Sequence, residues 1–228
     1  MGISRLLQRA FSNNRRQKLD TIAIIDYGMS NLSSVVKATE YVAPNTKVII
    51  SSDSNEINNA DKIIFPGQGA AKKCMQSIYD KKLTDVIKKS SKEKPFLGIC
   101  MGMQILMDSS DENNGTECLS IIEGKVEKFK NSKNSKNSKI KIPHMGWNKI
   151  IKKKDHPIWH KIDEESYFYF VHSYFIKPLE KNYIIGKTNH GEDFCSVIAK
   201  DNILAIQGHP EKSSSAGLQF LRNFIGIK

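Results

Sequence analysis

The sequence predicts an α/β protein with a doubly wound, mostly parallel sheet flanked by helices and a small added β region. Two observations favour this fold class. Short, wholly apolar runs such as 22–25 are typical of strands buried on both faces of a parallel sheet. These runs alternate with helically spaced apolar segments, and tight glycine turns follow several of them. Hydrophobic residues make up 39% of the 228 residues, enough to bury one core.

The predicted elements of the first half follow this alternation in order. Strands are expected at 22–26, 47–51, 62–65 and 95–99. A helix is expected from Leu32 to Pro44, with Asn31 as its N-cap, and a second helix at 71–90.

The second half is predicted to be richer in β-structure. We expect 124–130 and 140–152 to form a β pair, joined by a lysine-rich loop at 131–139 in which Asn-Ser-Lys occurs three times. Such a polar repeat is expected to be a solvated loop. Further strands are predicted at 167–171, 183–187, 194–199 and 203–206, and a terminal helix at 216–227. Residues 1–20 are expected to be a disordered N-terminal extension of a single domain at 21–228.

The formal net charge of +11 is concentrated in two segments. Residues 1–20 carry +4 and residues 125–154 carry +10, which leaves −3 for the remainder. A nucleic-acid-binding protein needs basic residues spread over one face, together with aromatic platforms. This distribution therefore argues against nucleic acid as a partner.

Composition excludes several other classes of protein. No apolar run approaches the ~18 residues of a membrane span, so no membrane association is expected. The cysteines show neither a CxxC pair nor a metal-ligand spacing, which argues against a disulfide scaffold or a zinc module. No metal and no other cofactor is expected. A reducing cytoplasm is the expected location. The four cysteines are Cys74, Cys100, Cys118 and Cys195.

Cys100 is the strongest candidate for a nucleophile. It follows an apolar strand, has Gly98 and Gly102 two residues away on either side, and precedes a predicted helix. This pattern is the thiol version of the nucleophile elbow, in which glycines permit a tight turn that lifts the side chain above the sheet edge. The alternative is a small core cysteine.

His209 is the candidate base, and Glu211 is the candidate residue that orients it. The histidine follows the predicted strand 203–206, so it should lie at the same sheet edge as Cys100. A carboxylate two residues further on could hold the imidazole and stabilise its protonated form. The alternative is an ordinary surface histidine.

Gly67, Gln68 and Gly69 follow the third predicted strand. Glycines around one residue leave backbone N–H groups free to point at a developing oxyanion. The alternative is a simple turn.

Together these residues resemble the class I glutamine amidotransferase family, which uses a Cys–His–Glu triad. Four further segments are similar to the glutaminase subunits of imidazole glycerol phosphate synthase within that family: DYGMSNL at 26–32, PHMGWN at 143–148, YFVHSY at 169–174 and QGHPEKS at 207–213. The resemblance runs from about Ile22 to the C-terminus, and it implies a flavodoxin-like class I amidotransferase fold.

The resemblance implies a mechanism and a set of site residues. Cys100 would attack L-glutamine to give a γ-glutamyl thioester, and the backbone N–H groups of Met101 and the 67–69 strand would bind the oxyanion. Ammonia would pass to a HisF-like cyclase subunit in a heterodimer, without entering solvent. Residues implied to hold glutamine are Gln104, Glu112, His172, Ser173 and Tyr174, and those implied to lie at the partner interface are Asn31, Met145, Trp147 and Asn148.

Three departures and two alternatives accompany this resemblance. Residues 1–20 have no counterpart in the bacterial pattern. Gly208 stands where the family usually has a bulky aromatic residue, so looser packing is expected beside the base, and the Asn-Ser-Lys repeat lengthens a loop before the interface segment. The first alternative is a related amidotransferase that supplies ammonia to another synthase, such as one that amidinates a surface sugar. The second is a papain-like protease, whose cysteine lies near the N-terminus in a different local sequence.

Overall fold

The computed structural model describes residues 19–28, 32–130 and 140–227. The expectations for 1–18, for Asn31 and for the 131–139 loop therefore lie outside the described residues. In the part that is described, no helix is long and apolar enough to cross a membrane.

The described strands form one large mixed sheet and one separate β pair. The large sheet has the order β2-β1-β3-β4-β14-β13-β11-β7-β5-β6; in addition β12 pairs with β13, and β9 pairs with β12. The strands are β1 (Thr21–Ile25), β2 (Lys47–Ser51), β3 (Lys62–Gly67), β4 (Phe96–Cys100), β5 (Ser109–Ser110), β6 (Thr116–Glu117), β7 (Gly124–Lys128), β8 (His144–Lys149), β9 (Ile151–Lys152), β10 (Tyr167–His172), β11 (Tyr174–Pro178), β12 (Ile184–Asn189), β13 (Asp193–Lys200) and β14 (Ile203–Ile206).

Helices cover both faces of the five parallel strands β2, β1, β3, β4 and β14. Ile22 and Ile24 pack on one face with Val35 and Phe220, whereas Ala23 and Ile25 belong to the core on the other face. The doubly wound α/β class is therefore confirmed. The helices are α1 (Leu32–Val42), α2 (Ser54–Asn59), α3 (Ala71–Asp80), α4 (Thr84–Glu93), α5 (Met101–Gln104) and α6 (Ser214–Gly226), with 3-10 turns at Glu112–Asn114, Pro157–Trp159, Lys181–Tyr183 and Pro210–Lys212.

Three adjacent parallel strands end at the same edge of the sheet. Gly67 at the end of β3 pairs with Cys100 at the end of β4, and Ile206 at the end of β14 pairs with Ile99. The chain leaving β14 then reaches His209 within three residues. The carboxyl edge of β3, β4 and β14 is thus where an open α/β sheet binds its ligands.

The single helix predicted at 71–90 is wrong, because the structure contains α3 and α4 with a turn between them. Lys82 adopts a left-handed backbone with φ of 55°, which ends the first helix. Leu83 is fully buried and begins the second helix. The helical spacing of apolar residues continues across the turn, so a prediction from periodicity alone treats the two helices as one.

The predicted pairing of 124–130 with 140–152 is also wrong. β7 pairs with β11 and β5, whereas β8 pairs with β10 to form the separate two-stranded sheet. The second segment divides into β8 and β9 at Ile150. Neighbouring strands pair often enough to favour the simple hairpin, and only tertiary packing decides against it here.

Helix α2 and strands β5, β6 and β11 have no counterpart in the prediction. Helix α2 is capped by Asp53, whose carboxylate accepts from the backbone N–H groups of Asn55 and Glu56 at 2.7 and 3.0 Å. Strand β11 continues from β10 after one residue, and there the chain leaves the small sheet and joins the large one.

Candidate active site

Cys100 lies on a sharp turn between β4 and the single helical turn α5. Its backbone has φ of 54° and ψ of −110°, a conformation that is strained for a non-glycine residue. The two flanking glycines make the turn possible. A Cβ on Gly102 would lie 1.9 Å from the carbonyl oxygen of Phe65, and one on Gly98 would lie 3.0 Å from the carbonyl oxygen of Gly102. The structure therefore has the geometry of the nucleophile elbow predicted from the sequence.

Replacing Gly102 by alanine is expected to destabilise the protein by about 3 kcal/mol or more, because β3 would have to move away from α5. Urea unfolding measures this loss. Gly226→Ala is the matched control, since a Cβ there meets nothing within 4 Å. Equal unfolding midpoints for the two variants would contradict the close packing of the elbow.

His209 and Glu211 form a buried pair beside the elbow. Nδ1 of the imidazole is 2.8 Å from Oε1 of the carboxylate, and the side chains are 7% and 5% exposed. Burial acts to lower the pKa of His209, but Cys100 and then Glu211 outweigh it and raise the pKa to about 10. Nε2 has no nitrogen or oxygen partner in the described residues, so it remains available to the Cys100 sulfur. This arrangement places a protonated imidazole beside the nucleophile.

Gln207 contacts the nucleophile, although the sequence did not single it out as a site residue. Its Nε2 donates to the Cys100 sulfur at 3.6 Å, and its Oε1 accepts from Nε2 of Gln104 at 2.9 Å. The side chain is fully buried. The signal that could have revealed it is its position directly after a buried strand and two residues before His209.

The segment of Gly67, Gln68 and Gly69 runs beside the nucleophile. Gly67 is the register partner of Cys100, and a Cβ on it would come within 2.4 Å of the Tyr27 hydroxyl. Gly69 has φ of 91°, which favours glycine. The carbonyl of Gln68 accepts from the Cys74 thiol at 3.5 Å. The segment is therefore tightly packed at Gly67, next to Cys100, whereas Gly69 is exposed.

A cavity of about 350 Å³ opens in front of Cys100. It brings together the nucleophile, the base and every residue that the resemblance implied for glutamine binding. Pro143, Val171 and Lys212 also line it, and the sequence had not singled them out for glutamine binding. The lining residues are Gln68, Gly69, Cys100, Met101, Gln104, Glu112, Pro143, Val171, His172, Ser173, Tyr174, His209 and Lys212.

Glu112 also has a structural contact. Its Oε2 accepts from the backbone N–H of Ala71 at 2.7 Å and so caps the first turn of α3. The N-cap residue of that helix, Ala70, makes no side-chain capping hydrogen bond. Its backbone carbonyl accepts from the Thr116 hydroxyl at 3.0 Å. The carboxylate on the cavity wall is thus held in place by the start of a helix.

Two histidines are buried at the cavity: His172 lies in its wall, and His144 lies behind His172. Burial, with a smaller effect of the stacked His190, lowers the pKa of His144 to about 4. Burial lowers the pKa of His172 to about 3. Both rings are therefore neutral at physiological pH.

These histidines are expected to make the fold sensitive to acid. In the unfolded state the pKa of a histidine is about 6.5, so the unfolded state binds protons at a higher pH than the folded state does. The free energy of unfolding therefore decreases as the pH falls below 6.5, until the pH reaches the lower pKa values of the folded state. Between pH 7 and pH 5 each should cost about 2 kcal/mol. Urea unfolding at both pH values should show a loss about 2 kcal/mol smaller for His144→Phe. An identical pH dependence in both proteins would contradict a neutral, buried His144.

The outer face of the small sheet β8–β10 is an exposed aromatic face next to the cavity. Trp147 is 53% exposed and its ring contacts Tyr169, while the Lys149 ammonium lies over the Tyr167 ring. Exposed clusters of this kind mark docking surfaces. We call this surface the aromatic face. It consists of Met145, Trp147, Lys149, Tyr167, Tyr169 and Val171.

The resemblance implied that Asn148 lies at the partner interface, but its side chain points to the opposite side of strand β8 from those of Met145 and Trp147. Its amide nitrogen lies against His144 and the carbonyl of Asn189, so the side chain points away from the aromatic face. Trp147 is not a core residue, because half of its surface is exposed. Gly208 is enclosed, since a Cβ there would lie 3.3 to 3.5 Å from atoms of three aromatic residues, Phe168, Tyr169 and Phe170.

Metal chemistry has no visible site in the described ranges. Among residues 19–28, 32–130 and 140–227, no group of three or more His, Cys, Asp or Glu side chains could hold a metal ion. All four cysteines are free and buried. The ionisable groups that line the cavity include the Cys100 thiol, the imidazoles of His172 and His209, the Glu112 carboxylate and the Lys212 ammonium.

Comparison with known proteins agrees with this site. The family model for glutamine amidotransferase class-I matches residues 23–227, and the chain belongs to that family. Within it, the chain belongs with the HisH proteins. It is 52% identical to imidazole glycerol phosphate synthase subunit HisH of Hydrogenovibrio crunogenus, over 92% of this chain and 96% of that protein. It is 46% identical to the subunit of the same name from Nitrosomonas europaea, over 91% of this chain and 98% of the relative.

Solved structures support the fold independently. A glutamine amidotransferase is similar with a TM-score of 0.67 at 13% identity, covering 90% of this chain and 99% of the other. PurLQS from Thermotoga maritima is similar with a TM-score of 0.65 at 15% identity, covering 91% and 98%. At these identities the likeness shows the fold alone.

Proposed function

We propose that this chain is the glutaminase subunit of an imidazole glycerol phosphate synthase in histidine biosynthesis. It hydrolyses L-glutamine to glutamate and ammonia, and it passes the ammonia to a HisF-like cyclase subunit in the cytoplasm. The observation that carries this proposal is the single cavity in which Cys100, His209 and the glutamine-binding residues converge beside the aromatic face.

Hydrolysis begins with attack of the Cys100 thiolate on the side-chain amide carbon of glutamine. The backbone N–H groups of Met101 and of the 67–69 segment bind the oxyanion that forms. His209, whose raised pKa keeps it protonated, gives its proton to the departing ammonia, and Glu211 holds the imidazolium. Water then releases glutamate from the thioester.

The substrate is held by the remaining cavity residues. Glu112 pairs with its α-ammonium group. The buried Oε1 of Gln104 has no hydrogen-bond partner in the described residues and can accept from the substrate. His172, Ser173 and Tyr174 close the opposite wall.

The aromatic face is the docking surface for the cyclase. Met145, Trp147 and Tyr167 are about half exposed or more, and Val171 belongs to both this face and the cavity wall. A partner seated there covers the cavity mouth, which keeps ammonia from being protonated in solvent. Asn31, which lies outside the described residues, is proposed for this interface on the resemblance alone.

Isotope transfer tests this proposal. The chain is mixed with the HisF-like cyclase encoded in the same genome, the nucleotide substrate, glutamine labelled with ¹⁵N in its side-chain amide, and excess unlabelled ammonium. We expect ¹⁵N in imidazole glycerol phosphate, undiluted by the ammonium. Trp147→Ala should weaken the complex and dilute the label, whereas Tyr79→Ala, on an exposed aromatic of α3, should do neither.

Failure to bind the cyclase, with glutaminase activity intact, would contradict the proposed partner. That outcome would favour the related amidotransferase that supplies another synthase.

A further inference from the structure

A continuous chain of hydrogen bonds leads from strand β8 toward the nucleophile. The amide nitrogen of Asn148 lies 3.1 Å from Nε2 of His144. Nδ1 of His144 lies 2.9 Å from Nε2 of His172, and Nδ1 of His172 lies 2.8 Å from the carbonyl oxygen of Tyr174. Neither the triad nor the docking surface uses these contacts.

Only one protonation state of the two imidazoles gives every hydrogen bond of this series a donor and an acceptor. The carboxamide oxygen of Asn148 accepts from the Lys149 backbone N–H at 2.8 Å, which fixes the amide so that its nitrogen donates to His144. At the other end the Tyr174 carbonyl can only accept. Both imidazoles must therefore be neutral with the proton on Nδ1, and each donates in the same direction. A charged ring would place two donors face to face.

The chain of hydrogen bonds continues from the Tyr174 carbonyl to the Cys100 sulfur. The same carbonyl oxygen accepts from Nε2 of Gln104 at 2.9 Å. That nitrogen also donates to Oε1 of Gln207 at 2.9 Å, and Nε2 of Gln207 donates to Cys100 at 3.6 Å. The Tyr174 carbonyl is thus shared by the two histidines on one side and by the two glutamines that hold Cys100 on the other.

We propose that His144 is a positioning residue for the glutaminase reaction. His144 holds the His172 ring, which in turn holds the Tyr174 carbonyl oxygen in position. That oxygen positions the side chain of Gln104, which holds Gln207 against the Cys100 sulfur. His144 takes its orientation from Asn148, and Asn148 lies on β8 between Trp147 and Lys149 of the aromatic face. A partner that shifts strand β8 therefore acts on the nucleophile along this path. The proposal rests on the proposed function, and it adds a residue and a direction of coupling.

Packing keeps the rings in this orientation. His144 is stacked between Phe170 and His190, with ring centroids 4.8 and 4.1 Å away and planes within 23° of parallel. His172 contacts Phe129 and Phe194. The titratable groups that act on either ring are histidines, namely His190 and His209 besides the pair itself.

The first test compares three variants in the complete complex with the cyclase and its nucleotide ligand. His144→Phe keeps the stacked ring and removes both nitrogens. His144→Asn retains a donor near the position of Nδ1, toward His172. His190→Phe is the matched control, because it changes the neighbouring ring of the same stack, whose Nε2 contacts the Lys141 carbonyl and lies outside the path.

We expect His144→Phe to lower kcat for glutamine about tenfold, the size of one lost net hydrogen bond, with a smaller change in KM. His144→Asn should recover most of that loss, and His190→Phe should stay near the wild-type rate. A wild-type kcat for His144→Phe would overturn the proposal. So would an equal loss in His190→Phe, or a failure of asparagine to rescue.

The second test observes the protons directly. In protein labelled with ¹⁵N-histidine, both rings should give NMR signals of neutral imidazoles protonated on Nδ1, and the His172 signal should change in His144→Phe. Protonation on Nε2 in either ring would overturn the relay. This readout needs no turnover, so it remains decisive even if the wild-type chain has no glutaminase activity, a result that would count against the proposed function alone.

Discussion

Replacing Cys100 by alanine is expected to abolish glutamine hydrolysis, with a loss of roughly a millionfold that leaves only background. The sulfur is the group that forms the γ-glutamyl thioester, and no other cysteine lines the cavity. Glutamate release is measured in the complex with the cyclase subunit and its nucleotide ligand.

The control for this variant is the same substitution at another buried cysteine. Cys195 lies in strand β13, and burial raises the pKa of its thiol well above the usual value. Cys195→Ala should therefore retain activity. Substantial turnover by Cys100→Ala would show that the elbow does not carry the nucleophile.

Glu211→Gln is expected to reduce kcat by about 10³- to 10⁴-fold, as seen when the carboxylate behind a catalytic histidine is neutralised. The carboxylate helps raise the pKa of His209 to about 10 against the effect of burial. Without it the pKa of the imidazole falls, so its proton is lost at lower pH. The alkaline limb of the kcat/KM profile should therefore move to lower pH.

Glu93→Gln, at the exposed end of α4, is the matched control and should keep the wild-type rate and pH profile. If Glu211→Gln showed an unchanged alkaline limb, the carboxylate would have no part in holding the imidazolium. The Nδ1–Oε1 contact would then be structural only.

Much of the parallel core could be predicted because its strands carry their own signals. Each strand is a short apolar run that ends in a turn. The glycines around Cys100 predict a tight turn, and the structure confirms that Gly102 lies close to the Phe65 carbonyl. The edge shared by β3, β4 and β14 then follows from parallel pairing. These properties are local, so a single sequence contains them.

What could not be predicted depends on contacts between distant parts of the chain. β7 joins β11 rather than β8, although both alternatives satisfy the local pattern. The contact of Gln207 with Cys100 spans 107 positions, and that of His144 with His172 spans 28. No periodicity marks such side chains, and they are buried polar groups whose partners only the fold reveals.

The most direct test of the central claim is the steady-state glutaminase rate of the purified chain, measured alone and with the HisF-like cyclase plus its nucleotide ligand. The structure places the Cys100 cavity beside the aromatic face, and a hydrogen-bond path leads from strand β8, which carries part of that face, to the sulfur. We therefore expect a low rate for the chain alone and a strong stimulation in the liganded complex. Full activity without the partner, or no stimulation by it, would contradict an active site that the partner controls.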